Sequence, residues 1–157
     1  METDLTNIGG KNNALIILVG PPASGKSTWG KTFAAQNGVT YVSTDAIRAE
    51  IGSGEADQTV SAAAFNLARR RISNALSQGK NAMIDATNVN RKSRKDWVKI
   101  GRENNSYLIA VAFEVSRNEL YRRDAQRNRH VGNDIIDRFV DKYSRPDLTE
   151  VDKVIVK

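Results

Sequence analysis

The chain has 157 residues, enough for one ordinary domain and too few for two. Hydrophobic residues make up 39% and charged residues 27%, a globular balance; there is no cysteine, which excludes disulfides, thiolate zinc sites and cysteine catalysis. The single histidine, His130, leaves no material for paired-histidine metal sites or a histidine-supported nucleophile. No apolar run approaches the ~20 residues of a membrane helix, and the segment 1–13 is polar without a signal-peptide core, so a soluble, cytoplasmic, single-domain protein with no membrane partner is expected.

In chain order, hydrophobic runs alternate with stretches of helical period, the pattern of an α/β fold with a mostly parallel sheet of four or five strands flanked by helices. The continuous apolar run 14–19 predicts a central strand covered on both faces. A helix over 27–37 stopped by Gly38, a strand over 39–43 and a helix over 46–51 follow. Phe65, Ala68, Ile72, Ala75 and Leu76 fall at three-and-four spacing and predict a long helix over 57–77 that ends at Gly79. A strand at 82–85, a helix over 91–104 and a strand over 107–113 come next, then helices over 118–128 and 134–143, and an edge strand within 151–156.

Gly20-Pro-Pro-Ala-Ser-Gly25-Lys26-Ser27 fits G-x-x-x-x-G-K-[ST] and lies between a buried-type strand and a helix, the context that makes the pattern a phosphate-binding loop. Its glycines let the backbone fold back so that N–H groups cradle phosphate oxygens at the positive end of a helix. Lys26 can then span the β- and γ-phosphates while the Ser27 hydroxyl ligates Mg²⁺. This predicts an ATP and Mg²⁺ site lined by Gly20, Ser24, Gly25, Lys26, Ser27 and Thr28, with the metal at Ser27. The proline pair removes two backbone donors early in the loop, where little damage to phosphate binding is expected.

Three further strings bear on the phosphate acceptor. Asp45, in Ser43-Thr44-Asp45-Ala-Ile-Arg48, stands at a strand end where ligands gather, and reads either as a base for an attacking hydroxyl or as the cap of the next helix. Arg48, one turn on, can hold an acceptor phosphate. Asp85, in Asp85-Ala86-Thr87-Asn88, reads as a metal-side or acceptor-side group, or as part of a polar turn. Arg123 and Arg127 lie four apart on one predicted helix face, as lid arginines or as a solvated basic helix. From Arg91 to Arg129, eleven basic residues stand against five acidic ones, an excess equal to the whole net charge of +6. That concentration fits a polyanionic partner and equally a pair of solvated helices.

The loop, Ser-Thr-Asp-x-x-Arg, the string Asp57-Gln58-Thr59-Val60 with Ala63-Ala64-Phe65, Asp85-Ala-Thr-Asn88 and the Arg123-x-x-x-Arg127 pair occur in the order and spacing of polynucleotide 5′-hydroxyl kinases, which the chain resembles over about 15–143. The resemblance is nearest to the kinase module of bacterial polynucleotide kinase–phosphatase RNA-repair enzymes. It implies transfer of the γ-phosphate of ATP to the 5′-hydroxyl of RNA or DNA, with Asp45 as general base and Arg48 on acceptor phosphate. It further implies Lys26 with Ser27 on the donor side and Arg123 and Arg127 in a lid at about 117–133. Asp85 is implied as a catalytic group, and Thr87, Asn88 and Arg91 as acceptor-binding ones, whereas Asp57 and Gln58 match by string without an assigned chemical role. The phosphatase or ligase module common in that family is not expected here. A sugar, antibiotic or nucleotide-sugar kinase would keep the same loop, base and lid but has no need of a basic acceptor side. A non-catalytic ATP-dependent module would not need the catalytic groups. The 57–77 helix leaves a homodimer open.

Overall fold

The computed structural model describes residues 3–157. Five parallel strands form one sheet: β1 (Asn13–Val19), β2 (Thr40–Ser43), β3 (Ala82–Asp85), β4 (Ser106–Ala112) and β5 (Lys153–Val156), in the spatial order β2-β3-β1-β4-β5. Every residue of β1 is buried, and the side chains alternate between two cores. Leu15, Ile17 and Val19 pack with Ala68, Ile72 and Trp97 on one face, while Ala14, Ile16 and Leu18 pack with Phe33, Ala34 and Met83 on the other. Full burial of each such aliphatic side chain stabilises the fold by about 1.5–3 kcal/mol before entropy is counted, so β1, enclosed on both sides, is the rigid base for whatever follows it.

The helices are α1 (Lys26–Asn37), α2 (Thr44–Ile51), α3 (Ser61–Ser77), α4 (Arg91–Glu103), α5 (Arg117–Ala125) and α6 (Asn133–Lys142). Helix α1 ends on Gly38 at φ 64°, whose N–H donates to the carbonyl of Ala34, the left-handed stop anticipated from the sequence. Asn90 and Ser93 close a reciprocal capping box at the start of α4.

Two elements depart from the periodicity. The expected helix over 57–77 begins four residues later, because Asp57 caps a short 3₁₀ turn, Gln58–Val60, that precedes α3. The Asp57 carboxylate accepts from the Thr59 N–H and tightens the chain there, while β-branched Thr59 and Val60 do little to favour an α-helical start. The expected helix over 118–128 stops at Ala125, so Arg127 lies in the turn beyond α5 rather than on its face. Here the buried Asp124 accepts from the backbone N–H groups of Val131 and Gly132, both at 3.0 Å, and folds the segment back before another helical turn can form.

The strand order reverses at β1, and the register aligns the strand ends there: Leu18 lies beside Asp85, and Ser43 lies beside Asp85 on the other flank. A crevice at the carboxyl ends of β1, β2 and β3 is the place where open parallel sheets take their ligands.

Candidate active site

The loop leaving β1 is held from beneath. The Gly20 N–H donates to the Thr87 carbonyl at 2.9 Å, and a Cβ at Gly20 would stand 2.7 Å from Ser24 Oγ and 3.2 Å from Phe113 Cβ, so a larger residue would have to displace Ser24. Ala23 adopts φ 70° and Gly25 φ 89°, the left-handed turns that redirect the backbone before α1. The N-cap of α1 is Gly25 and no side chain caps it. The unpaired N–H groups of that first turn are therefore left for an anion.

Lys26 is buried in this loop. Burial draws its ammonium below the ordinary lysine value, nearby Arg127 adds to the fall, and Asp85 opposes it. Asp85 only partly offsets the two neighbouring cations, Lys26 and Arg127, and a polyphosphate would complete their neutralisation. Ser24 Oγ and Arg127 Nη1 are buried and have no hydrogen-bond partner among the described residues. Buried polar groups left unmatched in this way are expected where a ligand completes them. The Ser27 hydroxyl donates to Asp85 Oδ2 at 2.6 Å, and the Tyr41 hydroxyl donates to the same oxygen. Tyr41 loses acidity from its burial first and from the Asp85 charge second, so its proton stays on oxygen. A hydroxyl and a carboxylate touching at the foot of a phosphate loop fit Mg²⁺, which takes one or two protein oxygens and completes its shell with phosphates and water.

At the end of β2, Ser43 and not Asp45 caps α2: its Oγ accepts from the Ala46 N–H at 3.2 Å. The capping alternative for Asp45 is thereby removed. Asp45 forms an ion pair with Arg48, whose Nε also donates to the Glu55 carbonyl at 2.8 Å. Arg129 reaches the same carboxylate from the turn after α5, with Nη2 at 3.7 Å from Asp45 Oδ2 and 3.4 Å from Glu55 Oε2. Further back on that segment, Arg123 Nη1 donates to the Ser24 carbonyl of the phosphate loop at 3.2 Å.

The site therefore gathers Gly20, Ser24, Gly25, Lys26, Ser27, Asp85, Asp45, Arg48, Arg123 and Arg127, with Thr28 exposed on the first turn of α1. Two expected acceptor residues have partners within the molecule. Asn88, at φ 48°, turns inward: its Nδ2 donates to the Leu18 carbonyl at 2.9 Å and its Oδ1 accepts from Trp97 Nε1 at 3.1 Å, so it braces the end of β1. Arg91 donates to Thr149 Oγ1 at 2.8 Å and lies 3.7 Å from Asp147, drawn to the C-terminal segment by the carboxylate there. Thr87 contributes its carbonyl to the loop, as described. Asp57, left without a role by its motif, accepts from Ser53 and Thr59 and shapes the turn behind Arg48. Sequence reasoning missed Tyr41 and the Arg129 contact with Asp45. Tyr41 carried no motif, and only the parallel register of β2 with β3 brings it to Asp85.

The model of an AAA domain family, AAA_33, matches residues 15–146. An L-seryl-tRNA(Sec) kinase of Methanococcus maripaludis is 25% identical over 139 residues, covering 84% of this chain and 53% of that protein. A putative bifunctional polynucleotide phosphatase/kinase of Acanthamoeba polyphaga mimivirus is 27% identical over 105 residues, covering 66% of this chain and 21% of that one. The chain thus spans about half or less of the length of these curated relatives. Among solved structures, a chain in the Pnkp1/Rnl/Hen1 RNA repair complex superposes with a TM-score of 0.74 at 24% identity, over 88% of this chain and 46% of that one. The family match takes in the phosphate loop, both strand-end aspartates and the arginines after β4, and on that extent the chain belongs to the AAA domain family AAA_33.

Proposed function

We propose that the chain transfers the γ-phosphate of ATP to the 5′-hydroxyl end of a polynucleotide. The observation that carries the phosphoryl-transfer part of this reading is that one segment, Arg123 to Arg129, touches both halves of the crevice: Arg123 lies on the phosphate loop, and Arg129 lies beside Asp45 and Glu55. Donor and acceptor groups are in this way bridged by arginines, which suits a reaction that stabilises spreading phosphoryl charge more than it makes covalent intermediates. The names of the two relatives described above both include a nucleic acid, a seryl-tRNA in one and a polynucleotide in the other.

In this mechanism the phosphates of ATP lie on the N–H groups of the loop and on Lys26, with Arg123 and Arg127 against them. Ser27 and Asp85 hold Mg²⁺, which supplies Lewis-acid neutralisation of phosphate charge when bound. Arg48 binds the acceptor phosphate nearest the reacting end, and Asp45 accepts the proton of the 5′-hydroxyl. A bond forms between that oxygen and the γ-phosphorus as the bond to the β–γ bridging oxygen breaks, and ADP leaves. The Arg48 and Arg129 contacts on Asp45 must open for the hydroxyl to enter, which the acceptor phosphate can drive by taking over Arg48.

The test is γ-labelled ATP with a 5′-hydroxyl oligonucleotide, the same oligonucleotide already 5′-phosphorylated, and L-seryl-tRNA. Label on the 5′-hydroxyl oligonucleotide alone is expected, abolished by Lys26→Ala and by Asp45→Asn, with ATP binding strongly weakened only by Lys26→Ala. Label on the seryl group alone would move the acceptor to an aminoacyl hydroxyl. No label on any of them, with ATP still bound, would overturn the reading in favour of a small-molecule acceptor.

A further inference from the structure

Within the basic segment from Arg91 to Arg129 the fold separates the two kinds of cation. All eight arginines of that segment have a carboxylate within ion-pair distance, from the buried Arg94 with Glu150 at 3.0 Å to Arg129 with Glu55 at 3.4 Å. The three lysines, Lys92, Lys95 and Lys99, are exposed and form no ion pair or hydrogen bond among the described residues. They fall at i, i+3 and i+7 on α4 and so share one outer face of that helix. The excess positive charge noted in the sequence is thus not spread over two helices: the arginines are paired within the molecule, and the charges without an ion pair among the described residues of the segment are the three lysines and the single acid Glu103, all on α4, a net of +2.

The row has a fixed relation to the crevice. Helix α4 starts directly after the loop that carries Thr87 under Gly20 and Asn88 under Leu18, so Lys92 stands at the crevice end and Lys99 further away. Lys92 also lines a groove of about 320 Å³ between α3 and α4 with Phe65, Arg69 and Asp96. Arg69 and Asp96 pair at 3.0 Å across it and cancel, which leaves Lys92 as the net charge of the groove.

We infer that the Lys92–Lys95–Lys99 row is the docking surface for the sugar–phosphate backbone of the acceptor strand, beyond the nucleotide whose 5′-hydroxyl reacts. At about 1.5 Å rise per residue, Lys92 and Lys99 are roughly 10 Å apart along the helix. This matches about three phosphates at the ~3.4 Å rise of one nucleic-acid strand. Lysine ammonium groups are compact point charges without the planar fork that reads a base edge, so the row gives affinity independent of base sequence. The inference rests on the polynucleotide-acceptor reading and extends it from the reacting end to the body of the substrate.

The experiment compares wild type with the triple variant Lys92→Gln, Lys95→Gln, Lys99→Gln, which keeps good helix formers at all three positions. Two quantities are measured against salt: anisotropy of a fluorescent 20-mer, and phosphorylation of that 20-mer beside a dinucleotide. The variant should raise the KM for the 20-mer at least tenfold with kcat unchanged. It should lower the slope of log affinity against log salt by about 2–3, since each phosphate that a lysine ceases to neutralise removes about 0.7–0.9 from the slope. The dinucleotide should be phosphorylated as by wild type. Equal KM and equal slope for the 20-mer would overturn the row while leaving the kinase reading intact. Salt-dependent binding lost in the variant, with no label transferred by wild type, would overturn the acceptor reading and keep the row. Retained oligonucleotide binding together with lost binding to phosphatidylserine vesicles would assign the row to an anionic membrane surface and overturn it as a nucleic-acid dock. Should the triple variant unfold, single Lys95→Gln and Lys95→Glu variants, judged by the same slopes, decide the question.

Discussion

Lys26 shows how much a single residue's surroundings alter what its motif promises. Its burial lowers the ammonium below the ordinary lysine value, and the consequences for stability and for ligand binding have opposite sign. Between the lowered value and that of the unfolded chain, the unfolded state binds more protons, so the ligand-free protein gains stability as pH rises through that window. ATP binding wants the protonated lysine, so the stabilisation that ATP confers shrinks over the same window. Thermal melts from pH 7 to 10 should show the free-protein melting temperature rising relative to Lys26→Met while the ATP-induced increment falls. A free-protein curve parallel to that of Lys26→Met would mean that Lys26 is solvated. Asp45 teaches the reverse lesson. Two roles were open to it from its position alone, and the neighbouring Ser43, by taking the cap, leaves Asp45 to its ion pair with Arg48.

Helix α1 sits against the sheet through Gly30, at the second turn beyond the phosphate loop. A Cβ there would lie 2.7 Å from Leu18 Cδ1, 3.1 Å from Met83 Sδ and 3.4 Å from Tyr41 Cε1, all in side chains packed between helix and sheet. Gly30→Ala should destabilise the fold by about 1–3 kcal/mol, as overpacked cores do, despite alanine being the better helix former. Since Tyr41 holds Asp85, turnover should fall along with stability; denaturant unfolding and kcat on the same variant check both. A stability gain would show that α1 can slide outward without strain. The same coupling explains where element boundaries were legible. Gly38 and the Asn90 box are local signals, and α1 and α4 stop and start within a residue or so of expectation. The end of α5 depends on Asp124 bonding to Val131 and Gly132, a contact made only once the chain has turned back, so its periodicity overran by three residues.

Across the whole molecule, the C-terminal segment is tied to the crevice by one buried ion pair. Arg94 Nε and Nη2 meet the two Glu150 oxygens at 3.0 and 3.1 Å, and Arg94 Nη1 donates to the Asn88 carbonyl at 2.8 Å. Both side chains are almost wholly buried, 0% and 4% exposed. Removing one partner strands the other charge, so Glu150→Ala should cost about 3–5 kcal/mol, whereas the double variant Arg94→Met, Glu150→Leu should recover much of it. Urea unfolding of the single and double variants measures the difference. A small single-variant loss would mean that water reaches Arg94 and that the tie is weak. The described residues contain no helix long and apolar enough to cross a membrane.

The phosphate-binding loop was legible in the sequence because it is local. Gly20 to Ser27 carries its own turns, its own cation and the start of its own helix, and the alternating apolar runs specify a parallel sheet to hold it. The pairings that span long stretches of chain were decided only by the tertiary structure. Ser27 and Tyr41 meet Asp85 through strand register, Arg129 meets Asp45 because Asp124 folds its segment back, and Asn88 turns from the crevice to satisfy Leu18 and Trp97. Spacing along a chain records which groups share a helix or a strand. Which charges find one another across the fold depends on what the tertiary packing brings together and on burial, where an unpaired polar group is too costly to leave. Eight arginines of the basic segment met carboxylates in this way, and its three lysines did not.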